Sequence, residues 1–159
     1  MNIDIICVGK IKEKYLSEAI AEYSKRLPRY ISLKIIEVSD EKTQENASEA
    51  FNDKVKKSEA DRILKHIKKD AMIVTLEING KMLSSEELAG KVAEWGVRGV
   101  SDIQFIIGGS LGLHKSITDI SSYPLSFSKM TFPHQLMRVI LLEQIYRAYR
   151  INSNEPYHK

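Results

Sequence analysis

Cysteine is almost missing from this chain of 159 residues. The one thiol, Cys7, has no partner for an internal disulfide and lies in an apolar segment, where a small buried hydrophobic residue is expected. A single unpaired cysteine suits a reducing compartment, so we expect a cytoplasmic protein. Long apolar runs are missing as well: residues 139–142 form a run far below the roughly 20 residues that a membrane helix needs. No membrane partner is predicted.

The chain also lacks a strong net charge and lacks histidine or cysteine residues at the spacing of metal ligands. The 24 basic and 21 acidic residues leave a formal charge of only +3, which does not by itself indicate a nucleic-acid partner. The four histidines are scattered along the chain with no partner at ligand spacing, and the single cysteine has no companion. The sequence therefore predicts no bound metal.

What the chain does contain is a regular alternation of strand and helix patterns. Short, nearly continuous apolar segments at residues 3–8, 31–38, 71–76, 103–107 and 123–127 predict strands, most of them buried on both faces. Segments with apolar residues at three- and four-residue spacing separate them, and a long helix is predicted from about His134 to Ile151. Strands alternating with helices predict a three-layer α/β domain with a mostly parallel sheet, spanning residues 1–159 without a second domain.

A glycine-rich loop, Gly108-Gly109-Ser110-Leu111-Gly112, follows the fourth predicted strand. Ligands bind at the carboxyl ends of strands in open parallel sheets, and glycines permit close approach of backbone to ligand. The order G-G-x-x-G late in the chain does not match a dinucleotide fingerprint. His114 stands where a phosphate-binding P-loop requires glycine before Lys115-Ser116. The pattern leaves open a structural turn or a cofactor loop of another kind.

Several ordered motifs, taken together, carry a resemblance across the whole chain. They are I-x-V-G-K at residues 6–10, V-T-L-E at 74–77, I-G-G-x-x-G at 107–112, L-S-F-S-K-M-T-F-P-H at 125–134, R-V-x-L-x-E-Q-x-Y-R-A at 138–148 and N-x-P-Y-H at 154–158. In this combination the chain closely resembles the RlmH family, ribosomal RNA large subunit pseudouridine methyltransferases of the SPOUT class.

The resemblance implies a fold, a cofactor and a target. It implies a C-terminal deep trefoil knot, a homodimer, and S-adenosyl-L-methionine bound in a cleft between three loops of the knot. It also implies methylation of N3 of a pseudouridine in helix 69 of 23S ribosomal RNA on the assembled ribosome. The cofactor-binding residues that it implies, matched motif by motif, are Leu76, Gly108, Gly109, Phe127, Ser128, Lys129, Met130, Thr131 and Phe132.

Candidate catalytic residues lie at both ends of the last predicted helix. His134, where the third loop meets that helix, is a candidate for the group that takes the N3 proton, with capping of the helix as the alternative. Tyr157 and His158 in the tail are candidates to stack on or deprotonate the target base, with a frayed terminus as the alternative. Candidate contacts to RNA phosphates, for which salt bridges are the alternative, are Arg138, Arg147 and Arg150.

Two functions of other classes remain open at this stage. One is a ribosome-associated binding protein that has the fold without the reaction, and the other is a nucleotide-binding α/β regulator. A binding measurement with S-adenosylmethionine distinguishes the methyltransferase from the nucleotide-binding regulator. An assay of methyl transfer to ribosomes distinguishes the methyltransferase from the ribosome-associated binding protein.

Overall fold

Strands and helices alternate along almost the whole chain in a computed structural model, which describes residues 1–159. The elements in order are β1 (Asn2–Val8), α1 (Lys14–Arg26), β2 (Ser32–Val38), α2 (Glu49–Leu64), β3 (Met72–Met82), α3 (Ser85–Val97), β4 (Asp102–Ile107), α4 (Lys115–Thr118), β5 (Tyr123–Ser126) and α5 (His134–Asn152). A short 3-10 turn, Leu27–Arg29, ends the first helical segment at Pro28, which cannot continue a helical hydrogen-bond ladder. Every predicted strand is present.

The five strands form one sheet in the order β2-β1-β4-β3-β5, and all four neighbouring pairs are parallel. The central strand β1 pairs on both sides, so that Ile5 lies opposite Ile35 of β2 and Phe105 of β4. Parallel strands covered on both faces require apolar side chains on both faces. The nearly unbroken apolar runs of β1 and β4 meet that requirement.

Helices cover both faces of the sheet. On one face, Ile3 and Ile5 of β1 belong to a cluster with residues of α3 and α5, including Trp95 and Leu142. On the other face, Ile6 belongs to a smaller cluster formed with α2 and α4. Successive side chains of a strand point to opposite faces, which is why β1 contributes to both clusters. The predicted three-layer α/β architecture is confirmed.

The largest difference from the predicted elements is the length of β3. Its apolar part ends at Leu76, where the strand was predicted to end, but the chain stays extended to Met82. Leu125 of β5 lies opposite both Leu76 and Lys81, so residues 77–80 leave the ladder as a bulge. A hypothetical Cβ on Gly80 would lie 2.8 Å from the carbonyl carbons of Pro124 and Leu125. Only glycine fits where the bulge rejoins β5.

No helix of the chain combines the length and the apolar character that crossing a membrane requires.

Candidate active site

A cleft of about 670 Å³ opens at the bulge of β3 and at the ends of β4 and β5. Three segments line it: residues 76–78 where the bulge of β3 begins, residues 107–112 from the end of β4, and residues 125–137 around the end of β5 and the start of α5. The carboxyl ends of parallel strands meet at one edge of a sheet, so segments that are far apart in sequence come together there. Half of the lining residues are hydrophobic. The cleft therefore suits a ligand with a large apolar or aromatic part.

The glycine loop closes on itself at one side of the cleft. The backbone N–H of Gly112 donates to the carbonyl of Gly109 at 3.0 Å, and Gly112 has a φ of +85°. A Cβ on Gly108 would lie 2.8 Å from the carbonyl carbon of Gly112, so a side chain at Gly108 would open the loop. The loop is thus both a tight structural turn and a wall of the cleft. The two alternatives left open by its sequence, a structural turn and a cofactor loop, are therefore compatible.

The opposite wall, residues 127–132, is held by the hydroxyl of Ser128. Its Oγ accepts the N–H of Met130 at 3.0 Å, and its carbonyl accepts a hydrogen bond from Ser126 Oγ at 3.1 Å. Eight of the nine predicted cofactor-binding residues line the cleft, and Lys129, which is exposed, does not. The geometry thus brings together what the sequence motifs pointed to, with the role of each residue still a prediction.

His134, the first residue of α5, also lines the cleft. The helix is preceded by Pro133, and no side chain caps it, so His134 makes no capping hydrogen bond. Burial lowers the pKa of its imidazole, the nearby charge of Arg138 lowers it further, and Asp40 opposes both. A lowered pKa favours the neutral ring at neutral pH, which is the form that accepts a proton.

A second, smaller cavity of about 310 Å³ shares Gly109, Ser110 and His134 with the cleft, and we call it the polar recess. None of its lining residues is hydrophobic. The others that line it are Asp40, Glu41, Lys42, Thr43 and Glu59. No group of histidine, cysteine and acidic side chains in the chain is arranged to hold a metal ion.

Glu59 is the functional candidate that sequence reasoning missed. It is only 5% exposed, and its Oε2 accepts the backbone N–H of Glu41 at 3.1 Å. Burial raises the pKa of its carboxyl, and the neighbouring charge of Asp40 raises it further. In the sequence, Glu59 stands four residues after Val55 and four before Ile63, on the apolar stripe of α2. A carboxylate on an apolar stripe is the signal that could have revealed it.

Arg138 was expected to contact RNA phosphates, and the structure corrects that expectation. Its side chain is 1% exposed and lies between the start of α5 and the end of β1. It donates to Glu37 Oε2 at 2.6 Å and to the carbonyls of Val8 and Gly9 at 3.0 and 2.5 Å. A guanidinium buried in this way is not available to a phosphate. Arg138 holds β1 against α5 beside His134.

The tail residues lie away from the cleft of their own chain. Tyr157 donates to Glu143 Oε1 at 3.1 Å and lies under the guanidinium of Arg147, 4.7 Å from the ring centroid. Glu143 is nine residues beyond His134, which corresponds to about 13 Å along a helix. Burial, with Glu143 adding to it, raises the pKa of Tyr157 to about 12, so the phenol is neutral at neutral pH.

His158 joins the tail to two helices. Its Nδ1 lies 3.1 Å from Nη1 of Arg147, and its Nε2 lies 2.6 Å from Glu86 of α3. Because a guanidinium can only donate, Nδ1 must accept and Nε2–H must donate. Arg150 forms an ion pair with Glu155 and also contacts the hydroxyl of Tyr30 at 3.4 Å. The structure therefore gathers the two tail residues and two arginines of α5 in one group away from the cleft: Tyr157, His158, Arg147 and Arg150.

Comparison with known proteins gives a family match over nearly the full chain. The family model described as "Predicted SPOUT methyltransferase" matches residues 1–158. The chain is 60% identical to the ribosomal RNA large subunit methyltransferase H of Bifidobacterium animalis subsp. lactis and 61% identical to that of Clostridium novyi, in each case over 100% of both chains.

Two solved structures share the fold at low identity. A methylase family protein from Haemophilus influenzae has a TM-score of 0.58 at 14% identity, with 99% of this chain and 70% of that chain covered. A methyltransferase from Legionella pneumophila, solved with its bound cofactor SAM, has a TM-score of 0.52 at 13% identity, with 94% and 66% covered.

Proposed function

The chain belongs to the SPOUT methyltransferase family, and from this premise we propose that it transfers a methyl group from S-adenosyl-L-methionine to N3 of a pseudouridine in helix 69 of 23S ribosomal RNA, on the assembled ribosome. The observation that carries the proposal is the full-length identity of about 60% to proteins named ribosomal RNA large subunit methyltransferase H. The cleft at the strand ends supports it, since eight of the residues that the resemblance implies for cofactor binding line that cleft.

The cleft fits S-adenosylmethionine in its size and in the character of its walls. Its volume of about 670 Å³ is within the range of small-molecule sites. The side chains of Leu76 and Phe127 supply apolar surface for a nucleoside base, and the open backbone at Gly108 and Gly109 permits close approach. When bound, the cofactor supplies a methyl group on a sulfonium, which is transferred without a metal.

In this proposal His134 takes the proton from the reacting nitrogen. Transfer to N3 requires that N3–H is lost, and His134 lines both the cleft and the polar recess next to it. Its lowered pKa keeps it unprotonated at neutral pH. The variant His134→Asn should bind S-adenosylmethionine like the unaltered protein and lose methyl transfer by about 10²- to 10⁴-fold.

We propose that the protein is a homodimer in which the tail of one subunit completes the active site at the cleft of the other. In its own chain the tail is anchored around Glu143, about 13 Å along α5 from His134. Exposed apolar side chains at the mouth of the cleft, Ile78 and Met130, offer a surface for a second copy. Tyr157 and His158 of one subunit would then face the target base, and Arg147 and Arg150 would approach RNA phosphates.

The decisive experiment follows labelled methyl from S-adenosylmethionine into assembled ribosomes, with the modified position mapped afterwards. Label at N3 of a helix 69 pseudouridine is the expected result. Label elsewhere would contradict the target, and cofactor binding without any transfer would indicate a ribosome-binding protein. Calorimetry without detectable binding at millimolar S-adenosylmethionine would contradict the enzyme altogether. The deep trefoil knot stays a prediction of the resemblance, and tracing the chain in an experimental structure tests it.

A further inference from the structure

The polar recess has the features of a second binding site, separate from the cleft proposed for the methyl donor. It meets the cleft at Gly109 and Ser110, and His134 lines both cavities. A Cβ on Gly109 would lie 3.1 Å from both carboxylate oxygens of Glu59, so that carboxylate packs directly against the backbone of the glycine loop. A group bound in the recess would therefore lie next to the proposed point of methyl transfer.

Glu59 has one carboxylate oxygen with no partner. Its Oε2 accepts the N–H of Glu41, whereas no protein group donates a hydrogen bond to Oε1. The side chain is 95% buried, since only 5% is exposed, and it lines the recess. Burying a carboxylate without filling its hydrogen-bonding capacity is costly. The arrangement leaves one strong acceptor for a donor group that enters the recess.

We propose that Glu59 selects pseudouridine over uridine by accepting the N1–H of the target base in the polar recess. The proposal rests on the proposed function, because it concerns the same reaction. Pseudouridine is joined to its ribose through carbon, so N1 carries a hydrogen. In uridine N1 carries the ribose and has no hydrogen to donate. The buried carboxylate of Glu59 would therefore accept a hydrogen bond from pseudouridine and would be left without a donor by uridine.

The polar groups of the recess match the edge of pseudouridine in kind. That edge presents N1–H, the carbonyl at C2, and N3–H, which is donor, acceptor, donor. The recess offers the carboxylate of Glu59, the hydroxyls of Thr43 and Ser110, and the neutral imidazole of His134. With N1–H at Glu59 and N3–H at His134, the hydroxyls of Thr43 and Ser110 are the donors that remain for the C2 carbonyl. Because His134 also lines the cleft, the reacting nitrogen would then lie next to the cleft.

The other donor that could reach Glu59 is the ammonium group of the cofactor, and the carboxylates of Asp40, Glu41 and Glu59 are complementary to it in charge. An ammonium has no acceptor atom, so it would leave the donor groups of Lys42, Thr43 and Ser110 unused. The recess also connects to loop residues 40–43 rather than to the apolar part of the cleft. A base with both donors and an acceptor uses the full set of groups.

The test compares ribosomes that carry pseudouridine, uridine or 1-methylpseudouridine at the methylated position. The unaltered protein should methylate pseudouridine about 10- to 100-fold faster than either alternative, which is the effect of one hydrogen bond to a charged group. This arm needs no protein variant. Equal rates on pseudouridine and 1-methylpseudouridine would overturn the proposal without touching the proposed function, whereas no transfer to any substrate would mean that the function itself fails.

The variant Glu59→Gln tests the residue directly. Its amide oxygen can keep the hydrogen bond to the N–H of Glu41, which turns its NH₂ donor toward the position of the free oxygen and against N1–H. We expect the rate on pseudouridine to fall to that on uridine, with unchanged affinity for S-adenosylmethionine. The matched control is Asp61→Asn, a carboxylate of the same helix that is exposed and paired with Lys57, and it should keep the preference.

Two results of that variant would count against Glu59. A retained preference in a folded protein would remove Glu59 from base selection. A loss of cofactor affinity would assign the carboxylate to the ammonium group of S-adenosylmethionine instead. If Glu59→Gln does not fold, the substrate arm with 1-methylpseudouridine decides alone, since it uses the unaltered protein.

Discussion

Replacing Arg138 by methionine separates a structural role of this arginine from a contact with RNA. The side chain donates to Glu37 and to the carbonyls of Val8 and Gly9, and it is 1% exposed. Methionine has a similar length and fills much of the same space, so the variant removes the hydrogen bonds and the charge with little change in packing. The two buried carbonyls are left without a donor.

The loss of stability should be large. Breaking a buried ion pair by removing one partner costs about 3–5 kcal/mol. Glu37 is 38% exposed and can be hydrated after the change, so we take the lower end of that range. A loss of about 3 kcal/mol in the free energy of unfolding lowers the Tm of a chain of this size by roughly 6–12 °C. Because Gly9 and His134 adjoin Arg138, methyl transfer should fall as well.

Urea unfolding at a fixed protein concentration measures this directly, with the fluorescence of the single tryptophan, buried Trp95, as the signal. The comparison variant is Arg147→Met, whose guanidinium is partly exposed and pairs with Glu143 one helical turn away, and it should lose only about 1 kcal/mol. If Arg138→Met instead unfolds within about 1 kcal/mol of the unaltered protein and its ribosome binding depends less on salt, the side chain contacts phosphate and the reasoning is refuted.

Three further changes test other parts of the molecule. Removing residues 155–159 should abolish methyl transfer and leave the affinity for S-adenosylmethionine unchanged by calorimetry; undiminished turnover would exclude the tail from the site. Gly80→Ala should lower the free energy of unfolding by about 1–3 kcal/mol and weaken cofactor binding, because the new Cβ presses on β5 beside the bulge; a normal unfolding curve would contradict the tight fit. Glu59→Gln should be at least as stable as the unaltered protein at neutral pH. Because the folded-state pKa of Glu59 is raised, the unaltered protein loses stability as pH rises toward that pKa, and the variant does not. A variant whose stability relative to the unaltered protein is lower at pH 8 than at pH 5 would contradict this pH dependence.

The layers and the strand positions were predictable because they depend on local pattern. Strands buried on both faces need continuous apolar runs, and β1 and β4 have them. The extension of β3 past Leu76 was not predictable in this way. Residues 77–82 are polar and contain Asn79-Gly80, a typical turn signal, and they stay extended only because β5 pairs with them after the bulge. A tertiary pairing outweighed the local signal.

The site was predictable only where backbone position is enough. The carboxyl ends of the predicted strands must meet at one edge of the sheet, so the motifs at the end of the apolar part of β3 and after β4 and β5 give the walls of the cleft. Side-chain environment is another matter. Arg138 and Arg147 stand on the same helix and look alike in sequence, but one is buried against β1 and the other is partly exposed. Nothing local distinguishes them, because the difference lies in what packs across from each.

A left-handed glycine and two buried charged side chains gather at one place in the fold. Gly9 has a φ of +84° at the end of β1, Arg138 buries its charge against the carbonyl of that glycine, and Glu59 buries a carboxylate with one oxygen unpaired. Burying charged groups is costly unless they are paired, and all three residues adjoin His134 or the recess that it lines. Such costs persist where a reaction requires the arrangement. On this reasoning the methyl is transferred at the junction of cleft and recess, with the donor on the apolar side of Gly109 and the acceptor base on the polar side. The cleft alone would then bind S-adenosylmethionine in any variant of the recess, and the recess would decide which base receives the methyl group.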